Sequence, residues 1–206
     1  YNPYNWETPS VTTDVIVFLY EKQIKQIESG LSVLMVRRKN HPCIGQLALP
    51  GGFVNIREDI KTAALRELQE ETGLSDIAIE PVYTWGEYNR DPRSRIITEA
   101  YIALVEKNEL QKVTAGDDAE DAFFMKIQLK KCVEEKQGKR IKELYQILLT
   151  NDEKKESISG LVEYSYLTDR LLKQESFHVL KKDGIAFDHA RFLVQALLYL
   201  KDRINQ

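Results

Sequence analysis

The sequence predicts an α/β (α+β) chain, a mixed β-sheet flanked by helices, on three observations. Apolar, β-branched runs of strand length recur between polar turns. Ala63, Ala64, Leu65 and Leu68 alternate with charges at helical spacing. Residues 188–204 close the chain as an amphipathic helix with Phe192, Ala196, Leu197 and Leu200 on one side.

Taken in order, residues 1–10 hold Pro3, Pro9 and three aromatics and read as an irregular arm. Residues 11–20 and 31–36 read as buried strands joined by a polar, hairpin-type loop at 21–30. Pro42 and Gly45 break a polar loop over 37–45, and the short apolar run 47–50 leads into Gly51-Gly52, a strong turn signal. A helix is expected from Asp59, with Gly73 as its stop. Strands are expected at 77–85, 95–105 and 122–129, with an acidic, glycine-containing loop at 114–121. Residues 144–150 and 161–167 are candidates for a hairpin around 151–160. The expectation is one domain over 1–206, with an insertion at about 130–183, before the C-terminal helix.

Hydrophobic residues make up 43% of the 206 and charged residues 30%, a balance that supports a buried core and a soluble globular fold. The net charge of -3 lacks the basic excess of a dedicated nucleic-acid binder, yet a local basic patch suffices for a small phosphorylated ligand. Cys43 and Cys132 form no framework, so a reducing, cytoplasmic setting is expected. No apolar run approaches the roughly 20 residues that cross a bilayer. The first residues lack the basic and apolar regions of a signal peptide.

The informative stretch is 52–74, GFVNIREDIKTAALRELQEETGL. Each helical residue advances about 100°, so Glu67, Glu70 and Glu71 at i, i+3 and i+4 share one face. Three carboxylates so close repel one another, and a divalent cation would relieve that repulsion. Hard cations prefer oxygen ligands and bridge carboxylates to phosphates. They also make water a better nucleophile at neutral pH. Gly51-Gly52 permit close backbone approach, and a carbonyl there is a further candidate ligand. Arg66 beside the acidic face is placed to orient one glutamate. Taken alone, the acidic cluster reads as the solvated face of an ordinary helix; the complete spacing changes that reading.

The pattern G-x5-E-x7-R-E-U-x-E-E-x-G-U, with U aliphatic, is filled at every defined position by Gly52, Glu58, Arg66, Glu67, Leu68, Glu70, Glu71, Gly73 and Leu74. It resembles the Nudix box without a departure. The resemblance implies a Nudix fold, a mixed sheet sandwiched between helices, and hydrolysis of a nucleoside diphosphate linked to another moiety. It implies Mg²⁺ or Mn²⁺ held by Glu67, Glu70 and Glu71 with the Gly51 carbonyl, Glu67 and Glu71 foremost, with Glu58 as support. Segments 8–18, 47–74, 90–105, 115–119 and 185–189 are similar to the branch of ADP-ribose pyrophosphatase-like enzymes and ADP-ribose-responsive transcription regulators. The chain departs from that branch in the stretch of about sixty residues between Phe124 and Ile185, where a shorter link is expected. No winged-helix pattern follows Ile204 in this sequence.

For a general base the candidates are Asp117, Asp118 and Glu120 in the acidic loop, with Glu99 or Glu67 as alternatives. Arg90, Arg93 and Arg95, following Trp85 and Tyr88, are candidates for phosphate contact and ring stacking, and Asn55 for substrate contact. Arg37, Arg38 and Lys39 read as solvated surface. His189 reads as a residue that caps or packs the last helix.

The leading expectation is an ADP-ribose pyrophosphatase-type hydrolase, cytoplasmic and homodimeric, releasing AMP and ribose 5-phosphate. The second is the ligand-sensing domain of a transcription regulator. A third keeps the enzyme and changes the substrate, to a damaged nucleoside triphosphate or a dinucleoside polyphosphate.

Overall fold

The computed structural model describes residues 7–110, 122–169, 171, 172 and 174–204. Among them run β1 (Ser10–Tyr20), β2 (Ser32–Arg37), β3 (Leu47–Ala48), β4 (Gly51–Phe53), α1 (Ile60–Thr72), β5 (Glu80–Trp85) and β6 (Ile96–Glu106). There follow β7 (Ala122–Gln137), β8 (Arg140–Asn151), β9 (Glu156–Leu167), β10 (Glu175–Asp183) and α2 (His189–Ile204). One mixed sheet takes the order β10-β9-β8-β7-β2-β1-β6-β5, with β3 paired to β2 and β4 to β1. β1 and β6 are parallel from Ser10↔Ile96 to Tyr20↔Glu106.

β1 explains the layers. Its side chains alternate between the sheet faces. Val15 and Val17 pack against Ala64 and Leu68 of α1. Ile16 and Phe18 pack against Phe192 and Leu197 of α2. All four are fully buried, which is why the strand reads as an unbroken apolar run. The sheet is therefore sandwiched between the two helices, as expected.

β1 also parts from β2. The two strands pair at Phe18↔Val33 and Leu19↔Ser32 and then diverge. β3 takes the freed edge of β2 at Val36↔Ala48, and β4 takes that of β1 at Asp14↔Gly51. Pro50 lies between them and its carbonyl accepts from the Val15 amide at 2.8 Å.

The stretch at 130–183 extends the same sheet. β7 runs beyond the expected 129 because β8 pairs with it as far as Gln137↔Arg140. The expected hairpin is present, with its turn tightened to the four residues after Asn151↔Glu156. Glu156 to Gly160, expected in the loop, belong to β9. Ile127, Ile147, Val162 and Phe177 carry the α2 core outward across these strands. β5 starts at Glu80, three residues later than expected.

In α1 the buried side chains are Ala63, Ala64, Leu68 and Thr72, one stripe facing the sheet. Gly73 ends the helix at φ 70°, a left-handed turn, with its amide on the Gln69 carbonyl. The carboxylates stand on the flank beside β4. Leu68 is 0% exposed, so Leu68→Ala is expected to lower stability by about 2–5 kcal/mol, read from urea unfolding. Glu70→Gln on the exposed flank is expected to change it by less than about 0.5 kcal/mol.

Candidate active site

Where β1 and β2 part, a cleft of about 430 Å³ opens. Thr12, Thr13 and Asp14 of β1 line it, with Gly51 to Phe53 and the α1 carboxylates on one side and Arg38, Arg93, Phe187 and His189 also contributing. The acidic helix is thus carried to the gap by its short connection from β4.

Arg66 organises the acidic wall. Its Nε and Nη2 donate to the two oxygens of Glu58 at 2.8 and 3.0 Å, and Nη1 donates to Glu67 at 2.7 Å and Glu70 at 3.0 Å. The bond from Arg66, together with amide and side-chain bonds from Asn55, holds the Glu58 carboxyl down to about 2. Glu71 takes a different partner: its Oε2 accepts the Gly51 amide at 2.9 Å. Burial pushes Glu71 up to about 7, and the charges of Glu67 and Glu70 add to the rise.

The two glycines have separate steric reasons. At Gly51 φ is +155°, and a Cβ there would collide with the Thr13 carbonyl. At Gly52 a Cβ would occupy the place of the Glu67 carboxylate. One glycine lets β4 lie against β1, and the other lets Glu67 lie against β4.

Among the described residues no three acidic, histidine or cysteine side chains stand close enough together to enclose an ion as placed. Glu67 and Glu70 are turned to Arg66, and Glu71 to Gly51. The donor set nevertheless suits a hard divalent cation: oxygen donors line one open wall, and one carboxyl is raised by burial and by its neighbours' charge.

The α2 side of the cleft holds His189, buried at the start of that helix, and Asp14, which the sequence reading passed over. Asp14 shares the β1 parity of Ile16 and Phe18, which carries it inward to His189, with Oδ1 at 3.4 Å from Nε2. The His189 Nδ1 accepts the Leu49 amide at 3.0 Å, so the ring proton is assigned to Nε2. Burial pushes His189 down to about 3 and Asp14 up to about 7. With the imidazole neutral, the contact is a hydrogen-bonding approach rather than an ion pair. The signal in the sequence was an aspartate inside an otherwise apolar and β-branched strand.

Several expected site residues are elsewhere or occupied. Trp85 is 1% exposed and stacks on Phe192 at 4.6 Å, because β5 turns it into the α2 core; it does not line the cleft. Arg95 donates to the Gly86 and Glu87 carbonyls and braces its own loop. Asn55 bonds Glu58 and holds the loop before α1. Arg90 lines the cleft, but its guanidinium bonds Asp188 through two nitrogens and Thr98 through the third. Arg93 lines the cleft with two nitrogens on Asp91. Glu99 accepts from Thr84 on β5, outside the cleft lining. Asp117, Asp118 and Glu120 lie outside the described residues.

A split central strand pair with a carboxylate helix beside it defines an α+β domain built around an acidic, arginine-bordered cleft. A NUDIX domain model matches residues 11–146, and the chain belongs to the Nudix family. It is 41% identical over 98 residues to the ADP-ribose pyrophosphatase of Methanocaldococcus jannaschii, covering 48% of this chain and 56% of that protein. It is 33% identical over 107 residues to the ADPR responsive transcriptional repressor NtrR of Acinetobacter baylyi, covering 51% and 40%. The chain spans about half the length of the curated relatives it matches. The crystal structure of a MutT/nudix family protein from Enterococcus faecalis superposes with a TM-score of 0.64 at 30% identity, over 96% of this chain and 64% of that one. Among the described residues no helix is long and apolar enough to cross a membrane.

Two outcomes are expected. Gly52→Ala displaces the Glu67 carboxylate, the movable end of a side chain, so the urea midpoint shifts by less than about 1 kcal/mol equivalent. A larger loss would mean that the glycine serves the backbone instead. For His189 the folded pKa of about 3 lies below the ordinary 6.5, so between these values the unfolded chain binds the extra proton. Its contribution to stability is complete above 6.5 and is lost as pH falls towards 3. The stability difference between the native chain and His189→Gln should shrink over that window in urea titrations at successive pH values.

Proposed function

We propose that the chain is a Nudix hydrolase that cleaves the pyrophosphate bond of a nucleoside-diphosphate-linked substrate, ADP-ribose foremost, with Mg²⁺ or Mn²⁺ as cofactor. The observation that carries this reading is the placement of Glu67, Glu70 and Glu71 on one wall of a cleft whose border carries arginines. Similarity to the ADP-ribose pyrophosphatase of M. jannaschii supports ADP-ribose as the substrate.

Glu67, Glu70 and Glu71, with the Gly51 carbonyl, would hold the metal. When bound, it offsets the charge of carboxylates and diphosphate and makes water a stronger nucleophile. Arg66 restrains Glu67 and Glu70 from one side, and its grip on Glu58 fixes the guanidinium. The Gly51 amide fixes Glu71. Arg93, aligned by Asp91, meets the diphosphate. A water oxygen bonds to one phosphorus, the bridging P–O bond breaks, and the water's proton passes to a base. AMP and ribose 5-phosphate leave. Asp118 and Glu120 are the proposed bases. The chain is proposed to work in the cytoplasm and as a homodimer, the latter measurable by sedimentation equilibrium.

A second reading, a sensing domain that binds ADP-ribose without turning it over, is favoured by the A. baylyi relative. One assay separates the two. Mg²⁺-dependent AMP release from ADP-ribose is expected from the native chain, with a loss of at least about 100-fold in Glu71→Gln. Activity that survives this substitution would remove the metal assignment. Binding of ADP-ribose with no turnover under Mg²⁺ or Mn²⁺ would favour the sensor.

A further inference from the structure

Phe187 sits in the cleft in a left-handed conformation, φ +47°, which a bulky residue rarely adopts. Such outliers persist only where the surroundings hold them. Here the Ala186 amide bonds the Leu47 carbonyl at 2.8 Å, and Lys182 donates to the Phe187 carbonyl. Two guanidiniums from different loops lie over the one ring, Arg38 at 4.7 Å and Arg93 at 4.9 Å from its centre. Arg93 also lies over Phe53 at 5.3 Å. The ring's negative face attracts each cation, and so holds together two like charges that would otherwise separate.

The two cations are not equivalent. Arg93 is bound in bidentate fashion by Asp91. Arg37 pairs with Glu156 and Arg90 with Asp188. Among the described residues, Arg38 is the one cleft-lining guanidinium bonded only to carbonyls, those of Pro42 at 2.8 Å and Asn40 at 3.5 Å. Its charge acts through space on Glu71 of the acidic wall, and among the described residues no carboxylate hydrogen-bonds to it. Among the described residues, Nη1 of Arg38 and Nη1 of Arg93 carry no hydrogen bond, and guanidinium N–H groups are donors that phosphate oxygens accept.

We propose that Arg38 and Arg93, aligned over Phe187, form the anchoring subsite for the substrate's diphosphate, with Phe187 as a positioning residue. This rests on the hydrolase reading above only for the identity of the anion. The subsite itself recognises any linked pair of phosphoryl groups. The expectation of Arg38 as solvated surface is replaced by this proposal, because only the folded chain shows that, among the described residues, it hydrogen-bonds to carbonyls and to no carboxylate.

Calorimetric titration of the full chain with inorganic pyrophosphate, in EDTA at low ionic strength, tests the subsite without metal. Saturable binding is expected. Phe187→Leu and Arg38→Met should each weaken it by about tenfold or more, and Phe187→Tyr should restore it to within about threefold. In the ADP-ribose assay the first two variants should raise KM by a similar factor while kcat stays within about threefold. A native chain that fails to bind pyrophosphate, or Phe187→Leu binding like the native chain, would overturn the proposal. So would Phe187→Tyr binding as weakly as Phe187→Leu. Should Phe187→Leu fail to fold, as judged by its melting curve, unaltered binding by Arg38→Met would be decisive against it. Absence of ADP-ribose turnover with the pyrophosphate pattern intact would defeat the hydrolase reading and leave this subsite standing.

Discussion

Backbone amides and carbonyls buried in a sheet need partners, and β1 must find them along one edge from two different strands. β2 serves its C-terminal half and β4 its N-terminal half. Between them the chain crosses over at Leu49-Pro50, with no amide hydrogen on the proline to leave unpaired. This divergence is the origin of the cleft. It brings β4 against Thr13 so closely that residue 51 has no room for a Cβ, and it delivers α1 to the lip of the gap. The acidic wall, the loop carrying Arg38 and the start of α2 all meet there because the two central strands separate there.

The charges are arranged in two ways. On the α1 side one cation, Arg66, gathers Glu58, Glu67 and Glu70 and offsets their repulsion, and Glu71 is left to a backbone amide. On the α2 side, burial dominates. Asp14 and His189 are pushed towards their uncharged forms, while Asp188 is held ionised against burial by Arg90 and its other cationic neighbours. A low-charge inner pair beside a charged outer network keeps Leu49, and through it the Pro50-Gly51 turn, in a fixed place.

The strands beyond β7 show how length can be misread from sequence. Leu129 is the last residue of β7 whose burial follows simple alternation; after it the side chains are exposed and, apart from Cys132 and Val133, polar. Those residues are strand because β8 pairs with them, and pairing leaves no hydropathy signature of its own. The same limit applies at Arg90, Arg95 and Trp85. Each has the right chemistry for a substrate, but Asp188, two loop carbonyls and the Phe192 ring had already claimed them. The competing partners lie far along the chain for Arg90 and Trp85, so residue type alone could not exclude them.

The turn signalled by Gly51-Gly52 is instead strand β4, with the chain bending at Pro50 just before it. What the sequence determined by itself was local: the helix from Asp59 to Gly73, the shared face of its three glutamates and the closing amphipathic helix. These follow from periodicity and from the backbone limits of single residues. The tertiary structure decided which charges are already paired, that Asp14 and His189 are buried together, and that Arg38 rests on Phe187 facing the acidic wall. Such facts depend on distances between residues remote in sequence. Desolvation and Coulomb forces act through space, and only the parted strands bring those residues within range.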